Sequence, residues 1–282
     1  MNSSPAGMAT KAPSSVQSTT QLKIFAPVPA PRLRMVCCAY AGGSAAVFRG
    51  WHARLPRDVE VCAVELPGRG ARFREPPLRT MRALADDTMV GLLDCAGADI
   101  VLFGHSMGGV LALELANRLV DAGRPPLALV ASGCAAPHLP SRRRRRLHDL
   151  PRDELVRELD LLQGLPEGLP EGLLDAQAFI DMFLPTIRAD LESRETWRTE
   201  IRALPVPIHV LSARHDRLVW TPDLGEWQRY SELPLTVRLF DGEHFFIDTH
   251  SADVLAHLSG VLDALPAAAG AAADRSAAAI GE

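Results

Sequence analysis

Short, nearly continuous apolar runs alternate with stretches of helical period along most of this chain, and that alternation predicts its elements. Leu33 to Tyr40 and Val59 to Val64 are such runs, as are those around Val101, Leu127 to Ser132, Ile208 to Ser212 and Thr236 to Phe240. Bounded by Gly, Pro and polar clusters, they predict strands buried on both faces. Leu22 to Val28 reads as an edge strand. Segments near 80–93, 110–120 and 252–265 carry helical periodicity, and a further helix is expected around Phe48 and Trp51. Strands alternating with helices predict an α/β protein with a mostly parallel, doubly wound sheet. The alternation lapses over residues 135–200, where helical patterns continue without a strand. That stretch is too long for a simple crossover, so a helical lid insertion is expected there. The core would then comprise residues 21–134 and 201–266. Residues 1–20 are Ser-, Thr-, Ala- and Pro-rich and residues 267–282 Ala-rich; both are expected to be disordered tails.

Within this frame, the run through Phe103 ends in Gly104-His105-Ser106-Met107-Gly108 and passes directly into a helix. A serine at G-x-S-x-G spacing between a strand and a helix sits at the tip of a sharp, strained turn, and small neighbours let the helix pass the strand. Its hydroxyl stands beside the first N–H groups of the helix, which favour developing negative charge. Ser106 is therefore the expected nucleophile.

A serine nucleophile needs a base, and the base needs an orienting carboxylate. In α/β-hydrolase sheets the order along the chain is nucleophile, acid, histidine, with the last two on loops after later strands. Of the nine histidines, His244 fits as base, just beyond the strand ending at Phe240, with His250 the alternative. His209 falls in a strand, His257 in a helix, and His105 flanks the nucleophile, expected to point away. Asp216 leaves the preceding strand and is the expected acid. Asp223 and Asp241 suit cap and turn roles better, and Glu243 adjoins the histidine too closely to reach its Nδ1. The oxyanion hole needs two N–H donors. Met107 supplies one, and the loop Tyr40-Ala41-Gly42-Gly43 the other, from Ala41 with Tyr40 the alternative.

Composition narrows the class further. The 282 residues are 47% hydrophobic with a formal net charge of −4, enough to bury a core and no indication of nucleic-acid binding. Five cysteines show no metal or disulfide spacing and read as reduced, buried small hydrophobes of a cytoplasmic protein. No signal peptide or run of transmembrane length is evident, so neither membrane nor nucleic acid is an expected partner.

The residues resemble the type II (editing) thioesterases of polyketide and nonribosomal-peptide biosynthesis, within the α/β-hydrolase superfamily. The likeness rests on Ala41-Gly42-Gly43 with Phe48 and Trp51, on Leu66-Pro67-Gly68-Arg69 with Glu75-Pro76-Pro77, and on the Ser106 turn with Glu114, Ala116, Ser132 and Gly133. It continues through Leu184-Pro185, Arg188-Ala189-Asp190 and Glu195-Thr196 to Asp216, Trp227 and Gly242-Glu243-His244-Phe245-Phe246. It implies hydrolysis of acyl groups from the phosphopantetheine arm of acyl or peptidyl carrier proteins, with no cofactor and no metal. The chain departs from the family in the Gly164–Gly172 turn, at Trp197 and at Glu243; the first bears on lid shape and acyl preference.

Two features remain. Phe179, Met182, Phe183 and Leu184 lie at near-helical spacing in the expected lid. They either pack it onto the core or line an acyl channel. Arg142, Arg143, Arg144, Arg145 and Arg146 cannot all face a core. They are either a plain charged surface or, since the implied carrier partners are acidic and phosphate-bearing, a docking patch. The rivals to a thioesterase are a carboxylesterase or lipase, an acyltransferase or cyclising thioesterase, and a non-catalytic binding protein on the same fold.

Overall fold

The structure, a computed structural model, describes residues 21–93, 97–161 and 176–266, with side chains from 180 onward in the last of these. Both tails, the 164–172 turn and Cys95 lie outside the described residues.

Seven strands form one sheet: β1 (Leu22–Ile24), β2 (Leu33–Cys38), β3 (Val59–Val64), β4 (Asp99–His105), β5 (Ala128–Ser132), β6 (Ile208–Ala213) and β7 (Thr236–Phe240). Their order is β1-β3-β2-β4-β5-β6-β7. All neighbours are parallel except β1, which runs against β3. The helices are α1 (Met81–Leu93), α2 (Met107–Asp121), α3 (Arg152–Leu161), α4 (Ala176–Thr196, with Pro185 inside it), the single turn α5 (Phe246–Thr249) and α6 (Ser251–Ala264). This is the expected doubly wound α/β architecture of the α/β-hydrolase kind.

Strands β2 to β6 read as continuous apolar runs because both their faces are buried, whereas β7, expected to be buried on both faces, is the sheet edge and is exposed over Thr236–Arg238. Val36, Cys38 and Leu102 point into a layer with α1, α2, Trp227 and Tyr230. Met35, Cys37 and Phe103 point into the opposite layer with Phe48, Trp51, Phe246 and α6. The chain moves from β2 outward to β3, then returns across β2 to β4 and continues outward the other way. The winding therefore reverses between β2 and β4. Loops leaving the carboxyl ends of two such strands diverge and leave a crevice, the usual ligand position in open α/β sheets. Here the two ends are in register, Cys38 against Gly104, so the 39–43 loop and Ser106 are neighbours.

Two local expectations change. The helix around Phe48 and Trp51 is two 3₁₀ turns, Ala45–Phe48 and Trp51–Ala53, separated by Gly50 at φ +85°. The segment after β6 is also 3₁₀, Thr221–Tyr230. The edge strand stops at Ile24, short of Pro27, which has no N–H to extend a ladder, and Val28 N–H instead donates to Glu60 Oε1 at 2.9 Å. Among the described residues, 135–200 contains no strand. Leu147, Leu150, Leu155 and Leu159 form a small cluster there with Leu184 and Ile187 of α4. No described helix is long and apolar enough to cross a membrane.

Candidate active site

Ser106 sits between β4 and α2 at φ +56° and ψ −116°, the one non-glycine residue with positive φ among those described. Such backbone is costly for an L-residue and persists only where its surroundings impose it. They impose it by contact. A Cβ on Gly104 would lie 1.9 Å from Gly108 O, and one on Gly108 would lie 2.1 Å from Cys38 O. The first turn of α2 thus presses directly on the ends of β4 and β2. Gly104→Ala is expected to cost about 3 kcal/mol or more, since the clash is with backbone that cannot rotate away. Urea unfolding of the variant would measure it.

Two later loops deliver their side chains to this turn. His244, after β7, places Nε2 3.0 Å from Ser106 Oγ, and its Nδ1 lies 2.8 Å from Asp216 Oδ2. The side chain of Asp216, after β6, is fully buried, and its Oδ1 accepts from the N–H groups of Leu218 at 2.7 Å and Val219 at 3.1 Å. With Nδ1–H donating to the carboxylate, Nε2 is left as an acceptor for the serine hydroxyl. The other candidates lie elsewhere. His250 packs under Gly242 and bonds Thr249, and His209 bonds Thr236. Asp223 and Asp241 pair with Arg142 and Arg214.

His105 does not point away from the site. Its ring is buried with its centroid 5.2 Å from that of His244, and its Nδ1 lies 2.9 Å from Ser132 Oγ. Burial, and then the neighbouring His244, push its pKa well below the usual range, so it stays neutral beneath the base. Nothing in the sequence separates that orientation from a solvent-facing one. Cys134 also adjoins the turn, where its sulfur would meet a Cβ on Gly109. Burial holds its thiol at about 12, so it offers no thiolate near neutral pH.

The N–H groups of Met107 and Ala41 have no acceptor among the described residues. In the same loop Gly43 N–H donates to Tyr40 O at 2.9 Å and Gly42 N–H to Asp190 Oδ2 at 2.7 Å.

The helical-segment residues separate. Leu184 is buried in the cluster with Leu155 and Leu159, so it packs that segment's own core rather than a channel wall over the serine. Phe183 is half-buried against the ring of Phe73, Met182 is 53% exposed, and the Phe179 side chain lies outside the described residues. An open cleft of about 550 Å³ runs between Pro76, Pro77 and the Leu184–Pro185 turn of α4. No residue of the Ser106 hydrogen-bond chain lines it. The arginine run has no helical structure. Arg142, Arg143 and Arg145 pair with Asp223, Glu158 and Glu154 at 2.9, 3.0 and 2.6 Å. Arg144 and Arg146 are exposed without an acid partner among the described residues.

Comparison with known proteins gives a match of residues 33–262 to the thioesterase-domain family. A probable cadicidin biosynthesis thioesterase of Streptomyces griseus is 33% identical over 81% of this chain and 62% of its own length. The chain thus spans less than two thirds of that relative. RedJ, a thioesterase from the prodiginine biosynthetic pathway in Streptomyces coelicolor, superposes with a TM-score of 0.74 at 34% identity, over 91% of this chain and 90% of RedJ. BorB, the type II thioesterase from the borrelidin biosynthetic cluster, superposes with a TM-score of 0.74 at 31% identity, over 86% of this chain and 97% of BorB.

Proposed function

The chain belongs to the thioesterase family, and on that premise we propose that it is a type II thioesterase. It would hydrolyse acyl groups from the phosphopantetheine arm of acyl or peptidyl carrier proteins in a polyketide or nonribosomal-peptide pathway. The observation that carries this reading is the hydrogen-bond chain from Asp216 through His244 to Ser106, with the Met107 and Ala41 N–H groups unpaired among the described residues. His244 takes the serine proton as Oγ attacks the thioester carbonyl. The tetrahedral oxyanion is held by Met107 and Ala41 N–H; the C–S bond breaks, and the departing thiolate takes the proton from the His244 imidazolium, which returns the base to its neutral form. A thiol pKa near ~8.5 makes that departure easy without strong acid help. Neutral His244 then draws a proton from water as the water attacks the acyl-serine carbonyl, and returns it to Ser106 Oγ as the C–Oγ bond breaks and the acid is freed. Residues 135–200 act as a lid over the site, and of the expected channel residues whose side chains are described, Met182 and Phe183 are available to meet an acyl chain.

The arginine run keeps a docking role only in part, because three of its charges are already met by acids. Arg144 and Arg146 are the cations left to face an acidic, phosphate-bearing partner, and exposed charges of that kind act mainly on encounter rate. The test compares an acyl-carrier protein, the same acyl group on N-acetylcysteamine and the matching oxygen ester. Both thioesters should be cleaved well ahead of the ester; preference for the ester would move the protein to the carboxylesterases. Replacing Arg144 and Arg146 by glutamine should raise KM for the carrier protein several-fold, and less so in high salt as the screening length shrinks below ~8 Å. The small thioester should change by less than twofold.

A further inference from the structure

Asp190 of α4 is wholly buried, and so is Arg69 at 2% exposure. They meet bidentately, Nη1 to Oδ2 at 2.6 Å and Nη2 to Oδ1 at 2.8 Å. A buried ion pair gives little net stability, because desolvating both charges offsets their attraction. Besides bonds from Arg69 to Pro67 O, the pair makes contacts that distinguish it, to the loop that carries Ala41. Asp190 Oδ2 also accepts from Gly42 N–H at 2.7 Å, and Arg69 Nη1 also donates to Gly43 O at 3.2 Å. Gly42 has φ +80°, and a Cβ there would lie 2.7 Å from Ile187 Cγ1. One turn of α4 is thus seated on the loop that carries Ala41.

We propose that Asp190, neutralised by Arg69, is a positioning residue for the oxyanion hole. This inference rests on the Ser106 mechanism given above. Holding Gly42 N–H fixes the peptide that joins Ala41 to Gly42, and Gly43 N–H is already committed to Tyr40. Ala41 N–H is thereby kept aimed at the carbonyl oxygen of the substrate. The arginine has a second task. A bare carboxylate this close to the hole would oppose the developing oxyanion, and the bidentate guanidinium cancels its charge. The donor is therefore half built by the helical segment, and the hole is complete only while α4 is seated.

The test uses the full chain, an acyl-N-acetylcysteamine thioester and two double variants. Arg69→Met with Asp190→Leu replaces the pair by apolar groups of similar size, a change buried pairs often tolerate, but leaves Gly42 N–H without its acceptor. It should lower kcat by about 10²-fold, as loss of an oxyanion donor does, with KM within twofold and the melting temperature nearly unchanged. Arg69→Met with Asp190→Asn restores an acceptor without restoring charge and should recover at least tenfold of that loss. A merely structural pair would move stability and KM and show no such recovery. Wild-type kcat in the Leu variant, or equal loss in both, overturns the proposal. If the Leu variant does not fold, Asp190→Glu carries the test, since it keeps the charge but displaces the acceptor. Reduced kcat at unchanged KM supports the inference, and unchanged kcat sinks it. Mass spectrometry of the wild type in the same experiment separates this failure from that of the mechanism. An acyl adduct anywhere but Ser106 removes the mechanism itself.

Discussion

Ser106→Ala is expected to lower thioester hydrolysis by at least ~10⁴-fold, because losing the nucleophile leaves only binding and the oxyanion donors to act on water. The fold should survive. The positive φ at this position is imposed by contacts at Gly104 and Gly108, and alanine adds no atom that serine lacks. Thermal unfolding should therefore shift by no more than a few degrees. The complementary observation is positive: wild-type protein quenched during turnover should carry acyl mass on Ser106. Cys134, with its thiol held near 12, should carry none. Acylation of Cys134 with Ser106 unmodified would end the serine mechanism.

Asp216→Asn should be nearly as damaging, with a loss of up to ~10⁴-fold, and the hydrogen bonds around the carboxylate say why. Asp216 Oδ1 accepts from two N–H groups, those of Leu218 and Val219. An asparagine carbonyl oxygen takes that place, which turns its NH₂ toward His244 Nδ1. Nδ1 must then accept, so the ring proton moves to Nε2, the nitrogen facing Ser106. The base is present but carries its proton on the wrong side. Because a thiolate leaves readily, the loss on a thioester should be smaller than on an oxygen ester of the same acyl group. Glu243→Gln should stay within a few-fold of wild type, since Glu243 points to Arg217. If instead that variant is inactive and Asp216→Asn is not, the acid is Glu243.

These assignments were largely legible in the chain because the chemistry rides on regular elements. A strand buried on both faces announces itself as an apolar run, and G-x-S-x-G marks a place where strand and helix cross too closely for side chains. Asp216 and His244 follow their strands at short distance, so reading the strands located both. The 3₁₀ turns at Phe48 and Trp51 escaped because their apolar spacing fits either helix, and only Gly50 at positive φ parts them. His105 escaped for another reason: a residue beside a sharp turn can face either side, and the choice depends on the space left by Gly133, where a Cβ would meet its ring. The reach of Asp190 to Gly42 joins residues far apart in the chain. No local pattern encodes it. Arginine charges read as a free patch for the same reason, since their acid partners come from α3 and the segment after β6.

Pro185 lies inside α4 close to where its surroundings change, just after Leu184, which is already buried. After it, Thr186, Ile187, Ala189, Asp190 and Ser193 are all buried, whereas Asp181 and Met182 before it are exposed. A proline inside a helix cannot return a hydrogen bond to the carbonyl four residues back, here Asp181, and its ring crowds that carbonyl. That step of α4 therefore lacks one of the hydrogen bonds that stiffen a helix, and prolines are where helices bend most readily. On the lid reading proposed above, yielding at this step would let the residues before Pro185 give way to an acyl chain while Asp190 keeps its hold on Gly42 N–H.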